Sequence, residues 1–374
     1  MSRFRVLEGR QLYKRVARPV LFKLPPELAH NSVAWLLRRF VTRKALRALS
    51  SPDDVQDPRL RVDIAGLEFP SPVGLAAGLD KNCEILPVMM GLGFGYVVGG
   101  TVMHAARAGN PSPRLVRRTS EQSLINSMGF PSKGMVKARR NLRRLGSRSK
   151  PLVVSVSGLT LSELVACHAA MEPLADAVEL NISSPNTNAL RNYQDPAVFA
   201  DLLERVNGSR SKPLFVKLPY YSDPQDRELV LSLVRIARKR GVDAVTAPNT
   251  TPVTNPMLAT GKGGLSGRAV FEDTLRIVRE VRSEAGRGMA INASGGISSA
   301  EDTYRALEAG ADTVQMFTAL VYEGPGVVAA INRGLLRLLE ESGVPTVAHL
   351  TRPTHAPRPT DTPASPLTKA TTRS

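Results

Sequence analysis

Short runs of β-branched and other apolar residues alternate with longer amphipathic segments through the middle of the chain. Near-continuous apolar runs are typical of parallel strands that are covered on both faces. Eight such runs occupy residues 72–77, 95–100, 152–157, 177–182, 214–218, 243–247, 289–293 and 312–316. The pattern predicts an α/β protein, a (β/α)8 TIM barrel, with an open Rossmann-like sheet plus a second domain as the alternative.

The segments between these runs have helical periodicity. "DRELVLSLVRIARKRG" and "SAEDTYRALEAG" each end in a glycine, the residue that most often ends a helix. Before the first predicted barrel strand, "RLRVDI" and "LEFP" flank "AGL". We expect these two runs to form a hairpin that closes the bottom of the barrel.

The two ends of the chain differ from this body. In "PPELAHNSVAWLLRRF", Val33, Leu36, Leu37 and Phe40 recur at helical spacing, so residues 1–50 are predicted to form a helical subdomain. Residues 51–345 are assigned to the barrel. Residues 346–374 are predicted to be a disordered tail, because the chain is rich in Pro, Thr and Ser from about residue 353.

Positive charge is concentrated near the amino terminus. The whole chain carries +17, and residues 1–49 contain twelve basic and two acidic residues, so 12 − 2 gives +10. This asymmetry favours an anionic partner surface. A second basic run, residues 137–150, is interpreted as the solvated face of a helix.

Composition argues against several other classes of protein. Aromatic residues make up 5% of the chain and do not interleave with the basic runs, so no nucleic-acid partner is expected. Cys83 and Cys167 lie far apart without metal-ligand spacing, which predicts a reducing compartment and no metal site. No apolar stretch approaches the roughly 18 to 20 residues of a spanning helix. A soluble or peripheral protein is therefore expected.

Polar residues and glycines recur where the predicted strands end. They are Asp80, Lys81, Thr101, residues 155–158, residues 181–187, Lys217, Asn249, Thr250, residues 294–296 and Thr318. Because the carboxyl ends of barrel strands meet on one face, these residues are expected to line a shared pocket. "GGLSGRAVFED" and "ASGGISSAED" place small residues before helix starts, which favours a phosphorylated cofactor.

Nine motifs in order carry a resemblance over roughly residues 10 to 340: "VGLAAGLDKN", "GFGYVVGGTV", "GNPSPRLVRR", "INSMGF", "NISSPNT", "VKL", "NTT", "GGLSGR" and "GGISSAED". Together they resemble the dihydroorotate dehydrogenases, in particular the membrane-associated, quinone-linked class. The resemblance implies an FMN-binding (β/α)8 barrel that oxidises dihydroorotate to orotate in pyrimidine biosynthesis. It also implies an amino-terminal helical entrance for quinone, resting on an anionic membrane surface on the cytoplasmic side.

The resemblance assigns roles residue by residue. Ser184, the second serine of "NISSPNT", matches the catalytic base, and Thr187 and Phe130 match residues along its proton path. His30 and Arg117 match polar residues of the quinone tunnel. The substrate contacts it implies are Lys81, Asn126, Met128, Gly129, Asn181, Asn186, Asn249 and Thr250. The FMN contacts it implies are Ala77, Gly78, Lys81, Thr101, Ser155, Asn181, Lys217, Gly267, Gly296, Phe317 and Thr318.

The chain departs from the family pattern at several positions. Ser155 stands where the family usually has an asparagine, and Pro248 stands where it usually has a threonine. Two further functions therefore stay open: a flavin oxidoreductase that acts on another cyclic amide or pyrimidine, and a catalytically idle barrel that binds membrane surfaces. Trp35 fits either a membrane-interface anchor or plain packing. Strand alternation predicts that Ser183 points away from the pocket.

Overall fold

The computed structural model describes residues 10–39, 55–183 and 188–351. Eight parallel strands close a barrel in the order β3, β4, β9, β10, β11, β12, β15, β16, with β16 pairing back to β3. Their bounds are β3 Val73–Leu75, β4 Tyr96–Met103, β9 Leu152–Ser157, β10 Ala177–Asn181, β11 Leu214–Lys217, β12 Ala244–Ala247, β15 Ala290–Ser294 and β16 Thr313–Met316. All eight predicted strands are present, and the (β/α)8 prediction is confirmed over the open-sheet alternative.

Helices surround this barrel. They are α3 Leu86–Met90, α4 Met135–Leu145, α5 Leu161–Met171, α6 Pro196–Asn207, α7 Pro224–Lys239, α8 Phe271–Ala285, α9 Ala300–Glu308, α10 Thr318–Glu323, α11 Val327–Ser342 and α12 Val347–Thr351. Short 3-10 turns occupy Pro58–Leu60, Thr119–Glu121, Glu172–Leu174, Asn188–Gln194 and Arg268–Val270. The apolar faces of the helices and strands form one continuous core.

The predicted hairpin is also confirmed. Strands β1 (Val62–Ile64) and β2 (Leu67–Phe69) pair antiparallel across a two-residue turn. Phe69 stacks on Tyr96, with ring centroids 4.4 Å apart. Because Tyr96 opens β4, the hairpin lies at the amino ends of the barrel strands, which form the bottom of the barrel.

An antiparallel sheet lies over the opposite end of the barrel, and the sequence pattern did not predict it. Its four strands run in the order β13 (Thr251–Thr254), β14 (Lys262–Gly267), β7 (Ser123–Asn126) and β6 (Leu115–Arg118). A two-stranded pair, β5 (Ala106–Arg107) and β8 (Ser132–Lys133), accompanies it. These strands belong to the connections after β4 and β12, so the sheet lies near the carboxyl ends. The "GGLSG" motif, interpreted above as part of a loop, is strand β14.

The amino-terminal helices form a pair that packs on the barrel. A π-helical stretch, Tyr13–Ala17, continues into α1 (Arg18–Lys23), and a short turn leads to α2 (Pro26–Arg39). Arg10 and Lys14 both form ion pairs with Glu323 at the end of α10. Glu27 of α2 forms an ion pair with Arg114 next to β6. The predicted helical subdomain is therefore present over residues 10–39, whereas Phe40 and residues 41–50 lie outside the described part.

The carboxyl-terminal boundary needs a correction. The tail was predicted to begin at residue 346, but Val347–Thr351 form helix α12, with Val347 fully buried. An apolar side chain that packs against the barrel helices extends the ordered region beyond the point where the composition changes. Residues 352–374 lie outside the described residues.

The second basic run fits its interpretation. Five of its seven cationic side chains lie on α4, where Arg139, Arg140, Arg143 and Arg144 are exposed and Leu142 is buried. The last two follow the helix, and there Arg148 forms an ion pair with Asp176 and Lys150 is buried. Most of the basic run is therefore the solvent face of an amphipathic barrel helix.

Candidate active site

A chain of hydrogen-bonded side chains links three neighbouring strands, β4, β9 and β10, to the loop after β12. The Ser155 and Thr101 hydroxyls lie 3.0 Å apart, and Asn181 Nδ2 donates to Thr101 Oγ1 at 3.0 Å. Asn181 Oδ1 accepts from the Ser183 hydroxyl at 3.0 Å, and Asn249 Nδ2 donates to that hydroxyl at 2.8 Å. The barrel brings these five residues, four of them predicted site residues, into one connected row.

Ser183 therefore lies inside this row, and the prediction that it points away was wrong. Strand β10 ends at Asn181, so the alternation of side chains no longer applies two residues later. Ser183 uses its hydroxyl to join two amides, and its side chain is buried.

The Ser183 contacts fix which atoms Asn249 presents. Asn249 Nδ2 donates to two acceptors of Ser183, its carbonyl at 3.1 Å and its hydroxyl at 2.8 Å. The Asn249 Oδ1 accepts from the backbone N–H of Thr250 at 2.7 Å. A carbonyl oxygen has two lone pairs, so Asn249 Oδ1 keeps one lone pair for a ligand. A ring N–H is the kind of ligand group that it can bind.

Two lysines, the buried Lys217 and the half-buried Lys81, lie at the same end of the barrel. Lys217 ends β11, where its backbone lies opposite Asn181. Burial lowers the pKa of Lys217, and the negative charge of Glu179 opposes this effect. Lys81 follows β3 and donates to the Gly78 carbonyl at 2.7 Å. Burial lowers the pKa of Lys81 to about 8, against the opposing charge of Glu27.

The antiparallel sheet supplies further predicted residues. Asn126 ends β7 and donates to the Gly264 carbonyl at 3.3 Å. Met128 and Gly129 follow it, and the Met128 carbonyl accepts from the Asn110 N–H at 3.0 Å. Phe130 has a φ of +57°, a left-handed backbone that costs a bulky L-residue roughly 1–2 kcal/mol. The surrounding contacts therefore hold Phe130 in a fixed position.

Two glycines allow other parts of the chain to approach the backbone more closely than a side chain would permit. At Gly267, with φ +97°, a Cβ would lie 2.4 Å from the Gln122 carbonyl and 2.9 Å from the Thr318 methyl. At Gly296, with φ +77°, it would lie 2.6 Å from Phe271. The Ser266 and Thr318 hydroxyls meet at 2.9 Å between these two loops. Within the described residues, the amides of Gly295 and Gly296 donate no hydrogen bond, which suits an anionic ligand.

The remaining flavin candidates lie beside Lys81. Ala77 and Phe317 are half-buried. A Cβ on Gly78 would lie 3.9 Å from the Phe317 ring, so the loop after β3 faces the loop after β16.

His30 and Arg117 lie where the helical pair meets the barrel. Burial, with the charge of Lys81 beside it and against the opposing charge of Glu27, lowers the pKa of His30 to about 4, so His30 is neutral at pH 7. Arg117 of β6 donates to the Leu24 carbonyl at 2.7 Å and lies 4.6 Å from the centre of the Phe22 ring. The two residues are thus on opposite parts of one interface, between α1–α2 and the active-site end of the barrel.

Ser184, Asn186 and Thr187 lie outside the described residues. Their neighbours are placed, because Asn181 and Ser183 precede them and the 3-10 turn Asn188–Gln194 follows. The structure therefore gives the setting of the predicted catalytic loop without the contacts of its side chains.

An exposed apolar surface on the helical pair was only partly predicted. Of the nine large hydrophobic residues that are exposed in the described chain, seven belong to this pair: Leu12, Val16, Val20, Leu24, Leu28, Trp35 and Leu36. The residues of the predicted apolar stripe do not all face the same way. Leu37 packs on the barrel core, whereas Leu36 is 45% exposed. The i, i+4 spacing of Leu12, Val16 and Val20 is the signal that could have revealed the second stripe.

None of the described helices is long and apolar enough to cross a bilayer. Over the same residues, no group of three or more His, Cys, Asp or Glu side chains is arranged to hold a metal ion.

The closed parallel barrel, with lysines, amides and hydroxyls joined at one end, defines a (β/α)8-barrel enzyme. A family model described as dihydroorotate dehydrogenase matches residues 59–339. The chain belongs to the dihydroorotate dehydrogenase family, as its motifs predicted.

Relatives and solved structures agree with this assignment. The chain is 36% identical over 344 residues to a dihydroorotate dehydrogenase (quinone) of Thermus thermophilus, covering 89% of this chain and 99% of the relative. It is 38% identical over 355 residues to the protein of that name from Deinococcus deserti, and this match covers 89% of this chain and 97% of the relative. A crystal structure of the Eimeria tenella enzyme in complex with ferulenol superposes with a TM-score of 0.78 at 28% identity. The superposition covers 89% of this chain and 98% of that chain.

Removal of the Ser183 hydroxyl should destabilise the protein. In Ser183→Ala, Asn181 Oδ1 and Asn249 Nδ2 each lose the hydroxyl and keep only the Ser183 backbone as a partner, and a lost hydrogen bond costs roughly 0.5–1.5 kcal/mol. We expect the free energy of unfolding in urea to fall by about this amount. Ser232→Ala, where the hydroxyl bonds only to the Leu229 carbonyl within α7, should change it by less than about 0.5 kcal/mol. Equal losses in the two variants would show that Ser183 does not join the amides.

Proposed function

We propose that this protein oxidises dihydroorotate to orotate and passes the electrons through FMN to a membrane quinone. The observation that carries the proposal is the row of hydroxyls and amides from Ser155 to Asn249, beside Lys81 and Lys217. This polar set lies at the active-site end of a barrel whose quinone-linked relatives match almost their whole length.

The residues at this end of the barrel fit FMN. Gly267, Gly296 and Thr318 would bind the phosphate, since the amides of Gly295 and Gly296 donate no hydrogen bond within the described residues and can face an anion. Thr101, Ser155, Asn181 and Lys217 would contact the flavin ring from the ends of β4, β9, β10 and β11, while Ala77, Gly78 and Phe317 would cover its edge. The serine at position 155 is compatible with this role, because its hydroxyl continues the row through Thr101.

The reaction removes a proton from C5 of dihydroorotate and a hydride from C6. FMN, when bound, supplies the hydride acceptor at its N5. Ser184 would take the C5 proton, and a neutral serine needs an acceptor path for it, which the Thr187 hydroxyl would begin and the Phe130 ring would enclose. Because Ser184 directly follows Ser183, the hydrogen bonds of Ser183 fix the start of the catalytic loop.

The substrate site combines acceptors with donors. Asn249 offers an acceptor to a ring N–H, as its donors are occupied by Ser183. Asn126, Asn186, Thr250 and Lys81 would supply donors for the ring carbonyls and the carboxylate, and Met128 and Gly129 would close the pocket. Pro248 leaves this arrangement intact, since the Asn249 amide is oriented by Ser183 and Thr250.

The helical pair would admit the quinone and rest on an anionic membrane. His30, neutral in its buried position, and Arg117 would line the route from this surface toward Lys81. The exposed apolar residues of the pair, with Trp35 52% exposed, would enter the interfacial region. Attachment would be peripheral, on the cytoplasmic side, in keeping with two free cysteines.

Purified protein is expected to be yellow and to bleach when dihydroorotate is added without oxygen. A visible spectrum before and after this addition measures both steps. Flavin that is bound but not reduced by dihydroorotate would favour a paralogue with another substrate. Protein that stays colourless after reconstitution with FMN would favour an idle, membrane-binding barrel.

Substitution of the catalytic base should separate chemistry from binding. Ser184→Ala should still bind its flavin. When this variant is mixed with dihydroorotate in a stopped-flow instrument, the rate of flavin reduction should be lower by a factor of about 10² to 10⁴. Ser184→Cys should recover part of the rate at higher pH, where a thiolate forms. Ser232→Ala is the matched serine control. A full rate in Ser184→Ala would reassign the base.

The exposed stripe should govern membrane binding and quinone turnover. The triple variant Leu12→Gln, Val16→Gln, Val20→Gln removes about 1 kcal/mol of burial per site, so binding to anionic vesicles should weaken roughly 100-fold. Turnover with a long-chain quinone should fall with it, while dihydroorotate still bleaches the flavin. Met257→Gln, an exposed apolar residue elsewhere, is the control. Unchanged sedimentation of the triple variant with vesicles at low salt would contradict membrane docking by this stripe.

A further inference from the structure

A second chain of hydrogen bonds runs through the fully buried interior of the barrel. The Tyr96 hydroxyl lies 2.8 Å from Thr313 Oγ1, which donates to Asn292 Oδ1 at 2.6 Å. Asn292 Nδ2 donates to Thr246 Oγ1 at 3.3 Å, and Thr246 Oγ1 donates to Glu179 Oε2 at 2.8 Å. All five side chains are fully buried. The chain joins β4, β16, β15, β12 and β10 across the barrel.

The direction of every hydrogen bond in this chain is fixed by its end. An ionised carboxylate can only accept, so Thr246 donates its proton to Glu179 and accepts from Asn292. The Asn292 carbonyl oxygen then accepts from Thr313, so Thr313 accepts from Tyr96. Each donor points toward Glu179, and aligned hydrogen bonds of this kind strengthen one another. The chain therefore stabilises a negative charge on Glu179.

Glu179 lies one layer below the candidate flavin site. It precedes Asn181 by two residues on β10, so both side chains lie on the same face of that strand. Lys217 lies opposite Asn181 on the neighbouring strand. Within the described residues, Glu179 Oε1 has no hydrogen-bond partner, and the charged or titratable groups that it influences are Lys217 and Tyr96. A buried ion without a nearby opposite charge is costly, and Glu179 and Lys217 each supply that charge for the other.

We propose that Glu179 is the buried counter-ion of Lys217, held ionised by the hydrogen-bond chain from Tyr96, and that it keeps Lys217 protonated at the flavin site. Glu179 is thus a positioning residue that acts on the flavin through Lys217. The inference rests on the proposed function, because a protonated Lys217 matters there for binding an electron-rich flavin. Burial alone favours the neutral amine, and Glu179 supplies the charge that opposes it.

Proton uptake on FMN binding tests this pairing. Flavin-stripped, full-length protein is titrated with FMN at pH 8 by calorimetry in two buffers that differ in ionisation enthalpy. In Glu179→Gln, Lys217 should be partly neutral before binding and should gain a proton from solvent when FMN binds. We expect an uptake that exceeds the wild-type value by up to about one proton per FMN, and a loss of affinity of roughly tenfold. Equal proton uptake in wild type and Glu179→Gln would overturn the proposal.

Two further variants test whether Lys217 is the group that takes up the extra proton when FMN binds. Glu179→Gln combined with Lys217→Met should return the uptake to the wild-type value, because the titrating amine is gone. Glu308→Gln, on the exposed face of α9, should behave as wild type. Excess uptake that persists in the double variant would overturn the assignment to Lys217.

A thermal-unfolding cycle separates this inference from the proposed function. If the wild type binds no FMN, the proposed function fails, and the pairing is then judged from melting temperatures alone. Glu179→Gln and Lys217→Met should each lower the melting temperature, and the double variant should lose less than the sum of the two. Additive losses would overturn the counter-ion pairing whether or not FMN binds.

Discussion

Closure of the parallel barrel is the constraint on which the rest of the structure depends. Pairing of β16 with β3 completes a ring in which all eight carboxyl ends lie on one side. Residues that are 80 or more positions apart in sequence then approach within hydrogen-bond distance, as Asn181 and Thr101 do at 3.0 Å. The site is a property of the closed ring, since each strand contributes only one or two polar side chains.

The barrel interior carries two polar layers with different tasks. The upper row, from Ser155 to Asn249, orients amides toward the ligand side. The lower chain, from Tyr96 to Glu179, ends on a buried carboxylate beneath Lys217. Except for Glu179 Oε1, the hydrogen bonds within each layer pair its buried side chains, which matters because an unpaired polar group inside the barrel is costly. The polarity of the barrel interior therefore serves binding as well as folding.

The helical pair divides its charges between the barrel and the surface. Arg10 and Lys14 are bound to Glu323, and Arg38 is bound to Glu84, so these cations attach the pair to the barrel. Part of the +10 that the sequence places in residues 1–49 thus has a structural role. The apolar residues show a similar division, with Leu37 packed inward and Leu12, Val16 and Val20 exposed. Docking on the barrel decides which side chains remain for a membrane.

The sequence by itself determined the eight strands, the hairpin, the helical start and the family, because apolar periodicity and ordered motifs are local signals. It could not determine the antiparallel sheet, since β7 and β14 pair across more than a hundred residues and their short strands carry no clear alternation. It also misplaced Ser183, whose direction is set by Asn249 in the loop after β12 rather than by the end of β10. The counter-ion position of Glu179 likewise needed the tertiary structure, because a glutamate within an apolar run has no recognisable partner until the barrel closes around it.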